Sequence, residues 1–405
     1  MLMVLVSLYA TYDIAVSLSS IIELLVGIAL FYTVVLFTNT TKRWWFALLL
    51  LGALEFAVSL AGLLSIRWSK KFLAIAALTS IFPPRLLGIP GIDEGIHPNI
   101  IAGTLLWVLP LVLLLTRFVI LQGWLLPALS ITGNPHSQDS QKNLKNSANS
   151  ASLRLILSSI FRKEFLGAIA ILIVALVTLG VFILTQSRGG YIAFAVTAVC
   201  LFVLLLPKRR YQLIAVGLLV ILIIVGAVIA YSNRDALDGL LKNGDAADPA
   251  LSLDTLEGRV EIWSRALYGI EDFPFTGMGM NTFRKIVHVL YPLFLTSPDR
   301  DIGHAHNEFL QAALDLGIPG LIAFISLYLI SFWMLTQIWR AGVGDDPELT
   351  RTLALGLGGG LLAHLLFGLT DAVIFAAKPA ILFWFLLGLI AALYRNSTEK
   401  KSLIH

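Results

Sequence analysis

Long apolar runs separated by short polar breaks set the pattern of this chain. Runs at about 17–37, 44–64, 99–121, 165–186, 190–206, 211–231, 318–338, 352–371 and 377–394 approach the ~20 residues that a helix needs to cross a bilayer. Backbone N–H and C=O groups find no water in hydrocarbon, so such runs satisfy themselves as α-helices. The expected fold is all-α: a polytopic transmembrane helical bundle of about 9–12 spans, with one large external loop that contains short helices. The chain then divides into an N-terminal transmembrane bundle at 1–231, an extramembrane loop at 232–317, and C-terminal transmembrane helices with a polar tail at 318–405.

Some segments depart from that pattern. Residues 1–10 are apolar but short, and Tyr12-Asp13 interrupts them. Residues 72–82 are also short, and proline- and glycine-rich sequence follows to Pro98, which predicts an interfacial or re-entrant helix. Asn134 to Ser152 is rich in Ser, Asn, Gln and Lys and has little to bury, so it reads as a mobile loop.

Charge orients the bundle. Lys42 and Arg43, Lys142 to Lys163, Lys208 to Arg210, Arg340 to Arg351 and Arg395 to Lys401 fall on one side, which the positive-inside rule makes cytoplasmic. Arg67, Lys70 and Lys71 run against the rule. The external side then receives residues 66–98, 187–190, 232–317 and 371–378.

Composition agrees: 58% of residues are hydrophobic and 13% charged, where soluble domains run near ~25% charged. The net charge of +4 is accounted for by cytoplasmic loops and gives no sign of a nucleic-acid surface. One cysteine, Cys200, rules out an internal disulfide and a cysteine metal cluster. No basic n-region precedes the first apolar residues, so a cleavable signal peptide is not expected.

Against this background the polar residues near the external rim carry the candidate chemistry. His304 and His306 are two of seven histidines, in a stretch that runs into Asn307 and on to Gly317 and Pro319. The pattern predicts a short helix over about 305–316, ended by Gly317 and Pro319, with Leu310 and Ala313 on the face of His306. A first-turn position by the positive end of the helix dipole disfavours imidazolium and leaves a nitrogen free to take a proton. The plainer alternative is a structural histidine. A metal held by His304 and His306 is disfavoured, because histidines two apart diverge on a helix and no carboxylate cluster stands near in sequence.

Arg188 lies in a four-residue turn, Ser187 to Gly190, at the outer end of a span. An arginine at membrane depth needs a partner or a polar cavity, unless it snorkels to the headgroups. Arg259 and Arg265 lie on a predicted amphipathic helix whose apolar face is Val260, Trp263, Leu267 and Ile270. Arg265 can pair with Glu261 four residues back, whereas Arg259 meets Trp263 at that spacing and is the better candidate for an external anion. Gly277 and Gly279 read as a turn with positive φ ahead of any phosphate cradle. Asp371, at the external end of a span, is expected to pair with an arginine or to orient a histidine.

Together, Arg188 in Ser187-Arg188-Gly189-Gly190, Gly258-Arg259 with Ile262-Trp263, Pro274 with Gly277 and Gly279, and His306-Asn307 followed nine residues later by Gly317 and Gly320 resemble the O-antigen ligase and O-antigen polymerase superfamily. His97-Pro98-Asn99 with Ala102-Gly103 is similar to an earlier junction of that family. The resemblance implies a multi-pass protein of the bacterial inner (plasma) membrane, with its active site on the periplasmic side. It implies a glycosyltransferase that moves a glycan from undecaprenyl diphosphate to an acceptor hydroxyl, needing no cofactor, metal or nucleotide. The acceptor is lipid A–core for a ligase, a growing glycan for a polymerase, and a protein hydroxyl for a related oligosaccharyltransferase. Ligase is the first reading. His306 would be the base, Arg188 and Arg259 would hold the diphosphate, and Arg265, His304, Asn307 and Asp371 would support them. A transporter for a solute or lipid-linked sugar is the alternative of another class, but it calls for polar residues at the bilayer midplane in two related repeats.

Overall fold

The computed structural model describes residues 1–65, 75, 96–122, 163–232, 256–296, 301–342, 346–375 and 380–402. The helix expected over 72–82 and the loop expected from Asn134 to Ser152 lie outside the described residues. Thirteen helices are described: α1 (Leu2–Ala10), α2 (Ile14–Phe37), α3 (Thr41–Ser65), α4 (Pro98–Leu105), α5 (Leu109–Leu121), α6 (Lys163–Leu184), α7 (Arg188–Leu205), α8 (Arg209–Ser232), α9 (Leu256–Asp272), α10 (Phe283–Leu290), α11 (Glu308–Ala341), α12 (Pro347–Phe367) and α13 (Ile381–Ser402). The all-α polytopic expectation holds. Among the described residues, seven helices are long and apolar enough to cross a membrane: α2, α3, α6, α7, α11, α12 and α13. The run expected as one span at 99–121 is a pair of helices, α4 and α5, together apolar and long enough to cross but bent by 45° at the break. The 24-residue α8 occupies the place of the run at 211–231.

Helix starts follow the capping residues in the sequence. Asp13 caps α2 by accepting from the Val16 N–H at 3.1 Å. Ser187 caps α7 through the Gly190 N–H at 3.3 Å, and Asp346 followed by Pro347 opens α12.

The main core lies where the α4–α5 bend meets α12 and α13. Trp107 fills the bend, is fully buried, and stacks on His364 with ring centroids 4.6 Å apart. Gly360 makes this approach possible, because a Cβ there would stand 2.0 Å from the Trp107 carbonyl oxygen. Small residues at helix contacts let backbones come close where lipid provides no hydrophobic drive.

A second, smaller core joins α9, α10 and the first turns of α11 through Ile262, Ala266, Phe283, Val287, Ala305 and Leu314. This unit docks on the α1–α2 corner, where Lys285 pairs with Asp13 at 2.6 Å and Ser17 donates to the Met280 carbonyl at 3.1 Å. The unit thus folds around its own apolar core and meets α1 and α2 through these polar contacts and a small cluster of Val4, Ile21, Met280 and Leu316.

The helix around His306 differs from the sequence expectation. It begins at Glu308, and Asn307 is its cap, accepting from the Phe309 and Leu310 N–H groups at 2.9 and 3.0 Å. His306 precedes the cap, with φ of 48°, so it is not in the first turn and the dipole argument for its charge state lapses. Gly317 does end the short helix, as the sequence predicts, and a second helix follows directly within α11. With φ of 72° it puts a break in α11, which continues to Ala341. A Cβ at Gly317 would stand 2.5 Å from the Phe275 carbonyl oxygen, so the break seats the Phe275–Gly277 turn against α11.

Candidate active site

Asp371 is the hub of the site, on the loop that leaves α12. Its Oδ2 accepts from Asn99 Nδ2 at 2.7 Å and lies 3.8 Å from Arg259 Nη2. Its Oδ1 lies 3.4 Å from His306 Nδ1 and 3.5 Å from His304 Nε2. Three distant stretches of chain thus meet at one carboxylate. Burial would raise the Asp371 carboxyl, but His306, His304 and Arg259 together hold it below the usual carboxylate range. Asp371 was expected to pair with an arginine or orient a histidine, and it contacts both.

Arg259 also donates from Nη1 to the Thr370 carbonyl, the residue before Asp371. It therefore has partners that the helix spacing did not show. One turn on, Trp263 Nε1 donates to the His306 carbonyl at 3.3 Å. The single face of α9 that carries Arg259 and Trp263 thus grips both the Asp371 loop and the His306 turn.

The turn is fixed from inside as well. The Ala305 N–H donates to Gln311 Oε1 at 2.8 Å, Gln311 Nε2 donates to Asp315 Oδ1 at 2.8 Å, and the Asn281 N–H donates to the same oxygen at 2.9 Å. The His306 N–H donates to His304 Nδ1 at 3.0 Å. Burial, reinforced by His306, pushes the His304 imidazole down to about 3, against the pull of Asp371. His304 is neutral near pH 7. Since its Nδ1 accepts a hydrogen bond, its proton sits on Nε2, the nitrogen facing Asp371. Both ring nitrogens of His306 are shielded and have no hydrogen-bond partner among the described residues.

Other expected residues are also placed. Arg188 is exposed at the start of α7. The next residue, Gly189, faces Thr370, whose Oγ1 would be 2.5 Å from a Cβ there, so the Arg188 turn abuts the Asp371 loop. Asn307 caps α11 and donates from Nδ2 to the Leu369 carbonyl at 3.0 Å. Arg265 makes the plain contact expected of it, 3.9 Å from Glu261, and adds a bond to the Pro292 carbonyl at 2.9 Å. It points to the 292–295 loop, over the Phe294 ring. Gly277 and Gly279 adopt φ of 68° and 95°, the turn that the sequence favoured.

The histidine pair corrects one expectation. Because His304 and His306 precede the helix, they converge, with ring centroids 4.3 Å apart. One ligand atom each from His304, His306 and Asp371 lies within 4.8 Å of the others, a set that could hold a metal ion through two imidazole nitrogens and one carboxylate oxygen. The Arg259 guanidinium already stands beside that carboxylate, and its fixed charge opposes a divalent cation there.

Asn99 and Glu308 were missed as site residues. The His97-Pro98-Asn99 junction was the only signal for Asn99. An acid directly after a capping Asn was the only signal for Glu308, which is buried beside the site.

An apolar cavity of about 530 Å³ lies between α1, α2, α11 and α13, lined by Val4, Leu24, Leu316, Phe324, Phe375 and Trp384. Phe375 connects it to the Asp371 loop.

These features define a multi-pass helical membrane protein with an arginine–carboxylate–histidine cluster between its long apolar helices and the unit formed by α9, α10 and the start of α11. Residues 170–325 match the family described as O-antigen ligase, a likeness that supports the O-antigen ligase and polymerase superfamily and, in general, a membrane glycosyltransferase-like activity. The matched stretch carries Arg188, Arg259, His304 and His306 and stops short of Asp371. No curated protein matches the chain significantly.

Proposed function

We propose that this protein transfers a glycan from undecaprenyl diphosphate to an acceptor hydroxyl at the periplasmic face of the bacterial inner membrane, with lipid A–core as the acceptor. The observation that carries the reading is the 3.4 Å approach of His306 Nδ1 to Asp371. A proton on Nδ1 facing that carboxylate leaves Nε2 as the basic nitrogen, and the carboxylate stabilises the imidazolium that forms when Nε2 takes a proton.

In the proposed step, His306 Nε2 takes the proton of the acceptor hydroxyl. The hydroxyl oxygen bonds to the anomeric carbon as the bond from that carbon to the diphosphate breaks. Single displacement inverts the anomeric centre. The electron pair leaves with undecaprenyl diphosphate, whose growing charge Arg188 and Arg259 neutralise. Arginine suits this because it cannot lose its charge and meets phosphate oxygens in pairs. Arg259 already spends Nη1 on Thr370, which fixes its guanidinium ahead of substrate. The apolar cavity beside Phe375 offers a polyprenyl or acyl chain a lipid-like lining.

The test is reconstitution of the purified protein in liposomes with an undecaprenyl-diphosphate oligosaccharide and separate acceptors. Transfer to lipid A–core supports the ligase. A lengthening lipid-linked ladder would make it a polymerase, and labelled protein an oligosaccharyltransferase. Movement of the lipid-linked sugar across the bilayer without transfer would replace the enzyme reading by a transporter. Full activity in His306→Ala would remove the base assignment.

A further inference from the structure

Two residues past His306, Glu308 opens α11 with a side chain that is 1% exposed. Its Oε2 accepts from the Val373 N–H at 2.7 Å, and its Oε1 accepts from the Ile374 and Phe375 N–H groups at 2.6 and 3.3 Å. Its own N–H donates to the Gly368 carbonyl at 2.7 Å, beside the bond from Asn307 to Leu369. One end of α11 therefore holds the loop on both sides of Asp371, at residues 368–369 before it and at 373–375 after it.

We propose that Glu308 is a positioning residue, whose carboxylate holds the 368–375 loop against the His306 turn and so sets the approach of Asp371 to both histidines. This rests on the reading of His306 as base and deepens it. Three convergent N–H groups make a concavity that a carboxyl group fills with two acceptor oxygens, where an amide offers one. Burying that carboxylate is costly, and a loop needing only cover would be held as well by apolar packing. The acid also lies one residue after the cap that orders the His306 turn. A shift of the loop is thereby passed to Asp371, while the backbone of His306 stays held by Trp263 and His304.

The experiment is a double-mutant cycle on the full-length protein in liposomes, with undecaprenyl-diphosphate oligosaccharide as donor and lipid A–core as acceptor. Glu308→Gln keeps the shape but turns an amide donor toward backbone N–H groups. Because small misplacements at a reacting centre are costly, kcat/KM is expected to fall about 100-fold. In the Asp371→Asn background the same change should cost less than about 2-fold, since residues that act through one another are not additive. Equal losses in both backgrounds, or no loss in Glu308→Gln alone, would overturn the proposal.

If Glu308→Gln does not fold, Glu308→Asp, shorter by one methylene, takes its place in the same cycle with the same criterion. A substrate-free arm separates this inference from the proposed activity. The rate of His306 modification by diethyl pyrocarbonate, read by peptide mass, should change by the same factor in Glu308→Gln, Asp371→Asn and the double variant. Coupled modification rates without any glycan transfer by the wild type would sink the activity and keep the positioning. Independent rates alongside normal wild-type transfer would do the reverse.

Discussion

The His306 N–H donates to His304 Nδ1 at 3.0 Å, and this one bond decides which nitrogen of His304 faces Asp371. With Nδ1 occupied as acceptor, Nε2 carries the proton and points it at the carboxylate. His304 thereby does two jobs. It anchors the left-handed backbone of His306, a conformation that costs a non-glycine residue about 1–3 kcal/mol unless its surroundings hold it. It also places a neutral N–H 3.5 Å from Asp371, so that the arginine carries the local positive charge.

His304 makes a stability prediction with a definite sign. Its folded value of about 3 lies below the ordinary 6.5, so the unfolded chain takes up the proton first as pH falls. Its contribution is complete above pH 6.5 and is lost progressively below it, by at most about 1.4 kcal/mol per pH unit. Thermal unfolding in detergent should show wild type losing more stability between pH 7 and about 5 than His304→Gln does. Parallel curves for the two proteins would contradict this account.

Asp371→Asn removes the negative charge that Arg259 and both histidines face while keeping the shape. Glycan transfer should fall about 100- to 10,000-fold, the range typical of a disabled acid–base pair. The protein should remain folded by circular dichroism, because Asn99 and Arg259 can still bond to an amide oxygen. Near wild-type turnover would show that His306 works without this partner.

Arg259→Lys preserves charge but loses the planar fork that spans Thr370 and Asp371. The KM for the lipid-linked donor should rise about 10-fold or more, since a point charge does not replace paired contacts to phosphate. Steady-state kinetics with varied donor would check it, and an unchanged KM would move the diphosphate away from Arg259.

The convergence of His304, His306 and Asp371 makes chelation informative. With Arg259 beside the carboxylate, transfer should survive dialysis against EDTA, and added zinc should give no gain. Loss of activity on chelation, restored by a divalent ion, would instead make this trio a metal site.

Packing at the α4–α5 bend can be tested apart from chemistry. Gly360→Ala places a methyl group against the Trp107 carbonyl and should cost about 1–3 kcal/mol through overpacking. Lower thermal stability should appear without any change in donor KM. An unaltered melting temperature would mean that the bend moves freely.

The sequence by itself determined the helices and most of their ends. Apolar run length is a local property, and in lipid it leaves the backbone only the helix, so spans such as 165–186 and 190–206 were legible as α6 and α7. Residue types near the external rim also marked Arg188, Arg259, His306 and Asp371. Their partnerships were not legible, because helical periodicity reports only neighbours three or four residues apart. It paired Arg265 with Glu261 correctly and left Arg259 alone, whose partner lies on the loop after α12. It also put His306 in a helix: Asn307, a preferred capping residue, was the local sign of a later start, but nothing local shows that the backbone before it turns left-handed. Only the tertiary structure brought Asn99, Arg259, the histidine pair and Asp371 to one point, because a buried carboxylate must gather its donors from wherever the fold can supply them. His304 shows the difference best. In sequence it was a neighbour of His306, and in the folded chain it decides where a proton sits.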